Sequence, residues 1–354
     1  MYLKFKDSEE ECVVLQYIKE NDTFYLKNAY GNTVCEYWPK LALDSAYDPK
    51  RFKYQILYNE REDYSENNIF QVYAENQRIG WIFPIQALLS NQHDYADNCY
   101  FLRYAYVACW LLLNDIKSKN EKEASSEIFL EDFYNDSATI LVLDLDNISN
   151  LEEFALEDYS VSLYQKGYAW TGKGNLESQI EKPDKIIRLR SIAKELQKTK
   201  YIYNMFEKEI PKEQEAFARF HTYYQVIEIL IAIVFEDKFK KFVDQLSKSP
   251  DSLFEQRDTL GTMVIEKQRV KWLFAEYVRI PQDEKSILDE RCKKLLKENG
   301  KKAGTEMAEN LYLVRCLLVH NMYILSKYSH DLLGDINKAF LDVIMEILLT
   351  FTIH

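Results

Sequence analysis

Over the first ninety residues the apolar positions come in short bursts: Cys12-Val13-Val14-Leu15-Gln16-Tyr17-Ile18, Thr23-Phe24-Tyr25-Leu26, Tyr54-Gln55-Ile56-Leu57-Tyr58 and Ile69-Phe70-Gln71-Val72-Tyr73, with Asn, Asp and Gly clusters between them. Aromatic and β-branched runs of this length, bounded by turn residues, predict strands. Residues 97–119 carry a helical period with Asp97 as the cap, and Ser137 to Leu145 predicts a buried strand. The pattern changes at Glu181-Lys182-Pro183-Asp184. Beyond it, residues 185–209, 212–246, 251–278, 284–298, 304–328 and 330–352 have helical spacing, punctuated by Pro211, Pro250, Pro281 and Gly300. No internal repeat is visible. The expectation is therefore a two-domain chain. A β-rich α+β domain of unknown type, expected to sense or regulate, occupies 1–180, and an all-α helical bundle, expected to be catalytic, occupies 181–354.

Composition narrows the class. With 354 residues, 47% hydrophobic positions, 9 Gly and 7 Pro, the chain has the makeup of a folded protein built from long regular elements. The six cysteines (Cys12, Cys35, Cys99, Cys109, Cys292, Cys316) form no C-x-x-C pair, which argues against a zinc site or a disulfide scaffold and fits a reducing cytoplasm. The N-terminus lacks an apolar signal-peptide segment, and the longest charge-free apolar stretch, Tyr104 to Asn114, falls short of the about 20 residues a membrane span needs, so no membrane partner is expected. Charge divides unevenly. Residues 1–180 hold 16 basic against 30 acidic side chains, a balance of −14, while residues 181–354 hold 29 against 27, a balance of +2. An acidic N-terminal part is a poor non-specific polyanion binder. In the C-terminal part, basic residues cluster from Lys182 through Lys185, Arg188, Arg190, Lys194 and Lys198 to Lys200, and again at Arg291, Lys293, Lys294, Lys297, Lys301 and Lys302. Both clusters are expected on solvated helix faces, where they permit RNA contact without specifying it.

Two motif matches fail on their chemistry. Ile140-Leu141-Val142-Leu143-Asp144-Leu145-Asp146-Asn147 looks like the strand and paired carboxylates of haloacid-dehalogenase-type phosphotransferases, but Ile148 replaces a small hydroxyl residue and the following chain lacks alternating strands and helices. An edge-of-sheet turn capped by Asp146 is the expectation. Gly167-Tyr168-Ala169-Trp170-Thr171-Gly172-Lys173-Gly174 matches part of a phosphate-cradling loop, yet Gly174 replaces the magnesium-binding hydroxyl, and Tyr168 and Trp170 crowd the backbone. A hairpin-like turn is expected there.

The run Glu309 to Leu325 is apolar nearly all round beyond its opening Glu309-Asn310, which predicts a buried helix interrupted from there on only by Arg315, His320 and Asn321. A guanidinium in such a run must be paired or face a wet cleft. His320, five residues on, sits about 140° around the helix, and both side chains can bend toward one phosphate. Imidazole can exchange a proton with the ribose 2′-OH or the leaving 5′-oxygen, and Arg neutralises the developing charge, so the pair suits RNA rather than DNA. The plainer alternative pairs Arg315 with a buried carboxylate, Glu228 foremost, and makes His320 a core histidine. His221 fits packing in a Tyr- and Phe-rich face, His330-Asp331 fits an N-cap, and His93 and His354 have no evident partner.

Leu311-Tyr312-Leu313-Val314-Arg315-Cys316-Leu317-Leu318-Val319-His320-Asn321 resembles the signature helix of the HEPN superfamily, whose motif is Arg, four to six residues, then His. Phe217 to Leu230 is similar to the second helix of the same bundles, which often carries an acidic residue near Glu228. The resemblance covers about residues 185–354. It implies a metal-independent endoribonuclease of a prokaryotic defence system, abortive infection or toxin–antitoxin, needing no cofactor and leaving 2′,3′-cyclic phosphate and 5′-OH ends. It further implies a homodimer with a composite site built on Arg315 and His320, with Glu228 and Asn321 in support. The partners implied are RNA and a phage-derived trigger or an antitoxin. Cys316 stands where active members often carry a polar residue, and the family also includes non-catalytic dimerisation modules.

Overall fold

The computed structural model describes residues 2–4, 12–18, 23–27, 33–37, 49–59, 65–88, 93–96, 98, 100–101, 103–105, 107–108, 111–112, 127–129, 134, 138–171, 185–197, 199–213, 215–248, 253–321 and 325–353. They form two compact units, Met1–Tyr159 with Leu163–Arg190, and Ser191–His354 with Ser160–Ser162.

The first unit contains two sheets. Strands β1 (Tyr2–Lys4), β2 (Cys12–Ile18), β3 (Thr23–Lys27) and β4 (Thr33–Tyr37) run antiparallel in succession. In the second sheet β5 is Phe52–Tyr58, β6 is Phe70–Ala74 and β7 is Gln77–Pro84. Strand β8 (Glu127–Phe129) then closes the first sheet by pairing parallel with β1, giving the order β4-β3-β2-β1-β8. With β9 (Ala138–Asp144) and β10 (Ile186–Leu189), the second sheet has the order β10-β6-β7-β9-β5.

Strand β9 is buried at every residue because both faces of its sheet are covered. Ile140 and Val142 join Phe52, Trp81, Phe83 and the helical residues Phe101, Tyr104, Ala105 and Leu112 on one side. Leu141 and Leu143 join Val72, Ile82, Ile187 and Tyr168 on the other. Gly80 lets β7 lie against β9, since a Cβ there would stand 2.1 Å from the Val142 carbonyl oxygen.

Several local expectations change. The helical residues between 100 and 112 are capped by Asn98, whose Oδ1 accepts from the Tyr100 and Phe101 amides at 3.1 and 3.0 Å; Asp97 lies outside the described residues. Strand β9 is interior, and its turn Leu145–Asn147 is capped by Asp144 rather than Asp146, the Asp144 side chain accepting from the Asp146 amide. His93 is buried, with its Nδ1 accepting from the Tyr95 amide at 3.2 Å and its ring edge-on to Phe101.

Gly167 ends helix α1 (Ser160–Gln165) instead of opening a hairpin. Its φ of 89° allows the Gly167 amide to reach the Tyr164 carbonyl and the Tyr168 amide to reach the Leu163 carbonyl, a Schellman cap. Gly172, Lys173 and Gly174 lie outside the described residues. The helix expected over 185–209 begins only at Lys200, because Ile186–Leu189 pairs parallel with β6 as an edge strand. There the Arg188 guanidinium lies over the Tyr73 ring, so this part of the basic cluster decorates a sheet edge rather than a helix.

The second unit is helical. Helix α2 (Lys200–Asn204) continues through a wide turn to Lys212. Helix α3 (Ala216–Lys248) has 33 residues and runs about 50 Å. The expected single helix 251–278 is two, α4 (Leu253–Met263) and α5 (Glu266–Trp272), the latter followed by a wide turn Leu273–Tyr277. They part at Ile265, which is extended at φ −72°, ψ 115° and places Glu266 in a new first turn.

Helix α6 is Gln282–Glu298, α7 is Met307–Asn321 and α8 is Lys327–Thr350. Ser326 caps α8, its Oγ accepting from the Ser329 amide at 3.1 Å, so His330 and Asp331 lie inside the helix rather than at its cap. Helix α8 packs on α3 and α6, and α7 packs on α5 and α6. Phe220, Leu230, Leu295, Leu311, Leu318, Ile336 and Phe340 are fully enclosed in this unit. Among the described residues no helix is long and apolar enough to cross a membrane.

Candidate functional site

The setting of α7 is fixed on its buried side. The Asn310 carboxamide, fully enclosed, accepts from the Gly304 amide at 2.7 Å and donates to Asp289 Oδ1 of α6 at 2.7 Å. On the flank toward α5, Glu309 pairs with Lys267 at 2.6 Å and with Lys271 at 3.4 Å, and these ammonium groups, Lys267 foremost, hold its carboxyl below the usual range. Leu311, Val314, Leu317 and Leu318 fill the core. The opposite side is wet: Tyr312, Arg315 and Cys316 are half-buried, and Val319 and His320 are exposed. The helix is thus amphipathic in its setting, not buried all round as its composition suggests.

Arg315 points at α3. Its Nη2 lies 3.3 Å from Glu228 Oε1, its Nε lies 3.9 Å from Glu266 Oε1 of α5, and its guanidinium carbon lies 5.7 Å from the Tyr224 ring centre. Glu228 was expected as a buried partner, and it is the partner, but its side chain is 46% exposed against 23% for Arg315. Helix spacing explains the convergence: His221, Tyr224 and Glu228 follow an i, i+3, i+7 pattern and so share one face of α3.

The Tyr224 hydroxyl donates to Glu266 Oε1 at 3.3 Å, and burial with the nearby Glu266 charge pushes that phenol well above its ordinary value. Tyr201 of α2 donates to Gln225, and burial together with Glu209 and Glu228 pushes it up to about 12. Partial burial works against the Arg315 charge, but Glu266 and Glu228 outweigh it and the guanidinium is held charged. His221 is driven the other way. Partial burial, then the Arg315 cation, lower its proton affinity, with Glu228 opposing them. The neighbouring Cys316 foremost, then partial burial, raise the Tyr312 phenol.

Of the residues singled out in the sequence, Arg315 and Glu228 meet directly. His320 occupies the last turn of α7 on the exposed side, without a hydrogen bond or ion pair among the described residues. Asn321 ends α7, and its side chain lies outside the described residues, as does His354. Sequence reasoning missed Glu266, Tyr224 and His221. His221 does pack as expected, its ring 4.3 Å from that of Phe217, yet it also faces the charges of Arg315 and Glu228. Its seven-residue spacing from Glu228 was the available signal.

In the second basic cluster, Arg291 donates to the Asp335 carbonyl at 2.5 Å, Lys293 pairs with Asp289 at 2.6 Å and Lys294 lies over Tyr328, while Lys297, Lys301 and Lys302 are exposed. Chemically, the α3–α5–α7 junction offers a fixed, wet guanidinium for an oxyanion and a neighbouring imidazole for proton transfer. No family model matches the chain, and neither a curated protein nor a solved structure is similar to it.

Proposed function

We propose that the helical unit is a HEPN-like, metal-independent endoribonuclease acting on RNA in the cytoplasm as part of a prokaryotic defence system. The reading rests on one observation: Arg315 is charged, water-accessible and held by a carboxylate, Glu228, that is itself half in solvent. An RNA phosphate can take the place of that carboxylate without leaving a buried charge behind. The guanidinium then binds the non-bridging oxygens and gains strength as charge builds on them in the transition state. His320, exposed on the same helix, exchanges a proton with the ribose and leaving oxygens, and a second copy of the chain brings a second Arg315 and His320 to the site. A phage-derived trigger or an antitoxin would control access.

A second reading has one observation in its favour. Two carboxylates already satisfy Arg315 within the protomer, as a non-catalytic dimerisation module would require. Incubating the full chain with RNA in EDTA separates the two. The nuclease cleaves there, leaves 2′,3′-cyclic phosphate and 5′-OH ends, and loses activity at least about 100-fold in Arg315→Ala and His320→Ala with unchanged circular dichroism. Cleavage that disappears in EDTA and returns with Mg²⁺ overturns the reading. No cleavage, together with a destabilised Arg315→Ala, supports the module.

A further inference from the structure

Cleavage of RNA by its own 2′-hydroxyl moves two protons, one off the 2′-oxygen and one onto the departing 5′-oxygen, and the two duties call for one group that enters without a proton and one that enters with it. The α3 face that Arg315 crosses carries a second imidazole. His221 stands one turn before Tyr224, whose ring lies under the guanidinium, and two turns before Glu228, which pairs with it. Its ring is braced edge-on by Phe217 at 4.3 Å and by Phe220 at 6.2 Å, which fixes its direction, and the residue is half-buried rather than enclosed.

Resting on the ribonuclease reading, we propose that His221 is a further catalytic residue, the general base that takes the ribose 2′-proton beside the Arg315 of its own protomer. The step balances. The 2′-OH proton passes to His221, the oxygen lone pair forms the bond to phosphorus, and the P–O5′ bond breaks with its electron pair going to O5′, which takes a proton from His320. The products are a 2′,3′-cyclic phosphate and a 5′-hydroxyl; His221 then returns its proton to water and His320 takes one back from water.

The charges acting on His221 fit a base that is empty at neutral pH. Arg315 from α7 repels a proton, and Glu228, on α3 itself, attracts one less strongly than burial and Arg315 together oppose it. Glu266 from α5 is occupied by Tyr224 and Arg315, and Tyr201 from α2, raised to about 12, stays a neutral phenol. A base of this kind contributes about 10²–10⁴-fold.

The test uses the full chain in EDTA and a DNA oligonucleotide holding one ribonucleotide, with either oxygen or sulfur at the bridging 5′ position. A 5′-thiolate departs without a proton, so it bypasses the acid but not the base. His221→Gln and His221→Ala should cut the oxygen substrate about 10²–10⁴-fold more slowly and gain nothing from sulfur, while sulfur restores His320→Ala. The wild-type kcat/KM profile should show an acidic limb centred below 6.5, the ordinary histidine value, and this limb should be absent in His221→Gln.

His221 variants within threefold of wild type, or rescued by sulfur as fully as His320→Ala, overturn the proposal. An acidic limb centred above 6.5 overturns it whether or not the variants fold, which circular dichroism and melting curves report. A wild type that does not cleave in EDTA, or an Arg315→Ala that still does, sinks the ribonuclease reading itself.

Discussion

Each unit of the molecule places an arginine against a carboxylate, and the two pairs behave differently because of what surrounds them. In the sheet unit, Asp144 is 3% exposed and receives two parallel bonds from Arg51, both at 2.7 Å, with further donors in Asn147 at 3.1 Å and Tyr104 at 3.4 Å. With the Asp146 amide at 3.3 Å as well, each oxygen of that carboxylate accepts at least two bonds, so the pair is a structural lock for the end of β9. In the helical unit Arg315 makes one bond at 3.3 Å and a looser approach at 3.9 Å, to partners that water also reaches. The first pair has nothing left to offer a ligand. The second is an anchor with an exchangeable partner.

The sharpest way to break this contrast is Arg315→Ala. Removing a charged donor from a transition state costs about 10²–10³-fold, or 2.7–4 kcal/mol, in RNA cleavage, while urea unfolding of the helical unit should move by less than about 1 kcal/mol. Asp144→Ala should do the reverse, lowering the stability of the sheet unit by about 2–3 kcal/mol in urea unfolding, since Arg51 is left half-sheltered with only the exposed Asp146 carboxylate, at 3.1 Å, to hold it. An Asp144→Ala chain as stable as wild type would remove the contrast.

Glu228→Gln comes next. It deletes the competing charge at Arg315, so RNA measured by fluorescence anisotropy at fixed salt should bind about threefold more tightly, a change under about 1 kcal/mol. Weaker binding would mean that Glu228 orients Arg315 more than it competes for it.

The smallest expected effect is on pH. His221 has its folded value lowered, by burial first and Arg315 next, so between that value and 6.5 the unfolded chain binds more protons than the folded one. Its stabilising contribution is complete above 6.5 and is lost as the pH falls through the folded value. Urea midpoints should therefore fall less steeply below pH 6.5 in His221→Gln than in wild type, and parallel slopes would contradict the assigned environment.

What could be read from the residues follows from where the physics is local. Strand β9 announces itself because a strand covered on both faces is apolar throughout. Strand β7 was hidden: it opens with Gln77-Arg78, contains Gly80 and ends in Pro84, and its hairpin turn uses Glu75 and Asn76 at φ 49° and 65° in place of the usual Asn-Gly. Strand β10 read as helix because four residues cannot distinguish the two periods, and its partner β6 lies far away in the chain.

The break between α4 and α5 falls at Val264-Ile265, with Gly261 still inside the last turn of α4 and no Pro nearby, which concealed Glu266 as the start of a helix and so as a neighbour of Arg315. Arg315 was legible because a charge within an apolar run requires a reason. Which face of α3 it crosses was not, and His221 was therefore assigned to packing alone.

The Asn310 carboxamide has a consequence for how such a surface changes over time. A slip of one residue would turn α7 by about 100° and aim the guanidinium away from α3. The bonds of the neutral Asn310 carboxamide to Gly304 and to the Asp289 carboxylate forbid that slip from the dry flank, five positions upstream. Side chains on the watered flank can accordingly be exchanged one by one without altering where the others point, so the aim of the helix and the chemistry it carries are free to vary independently.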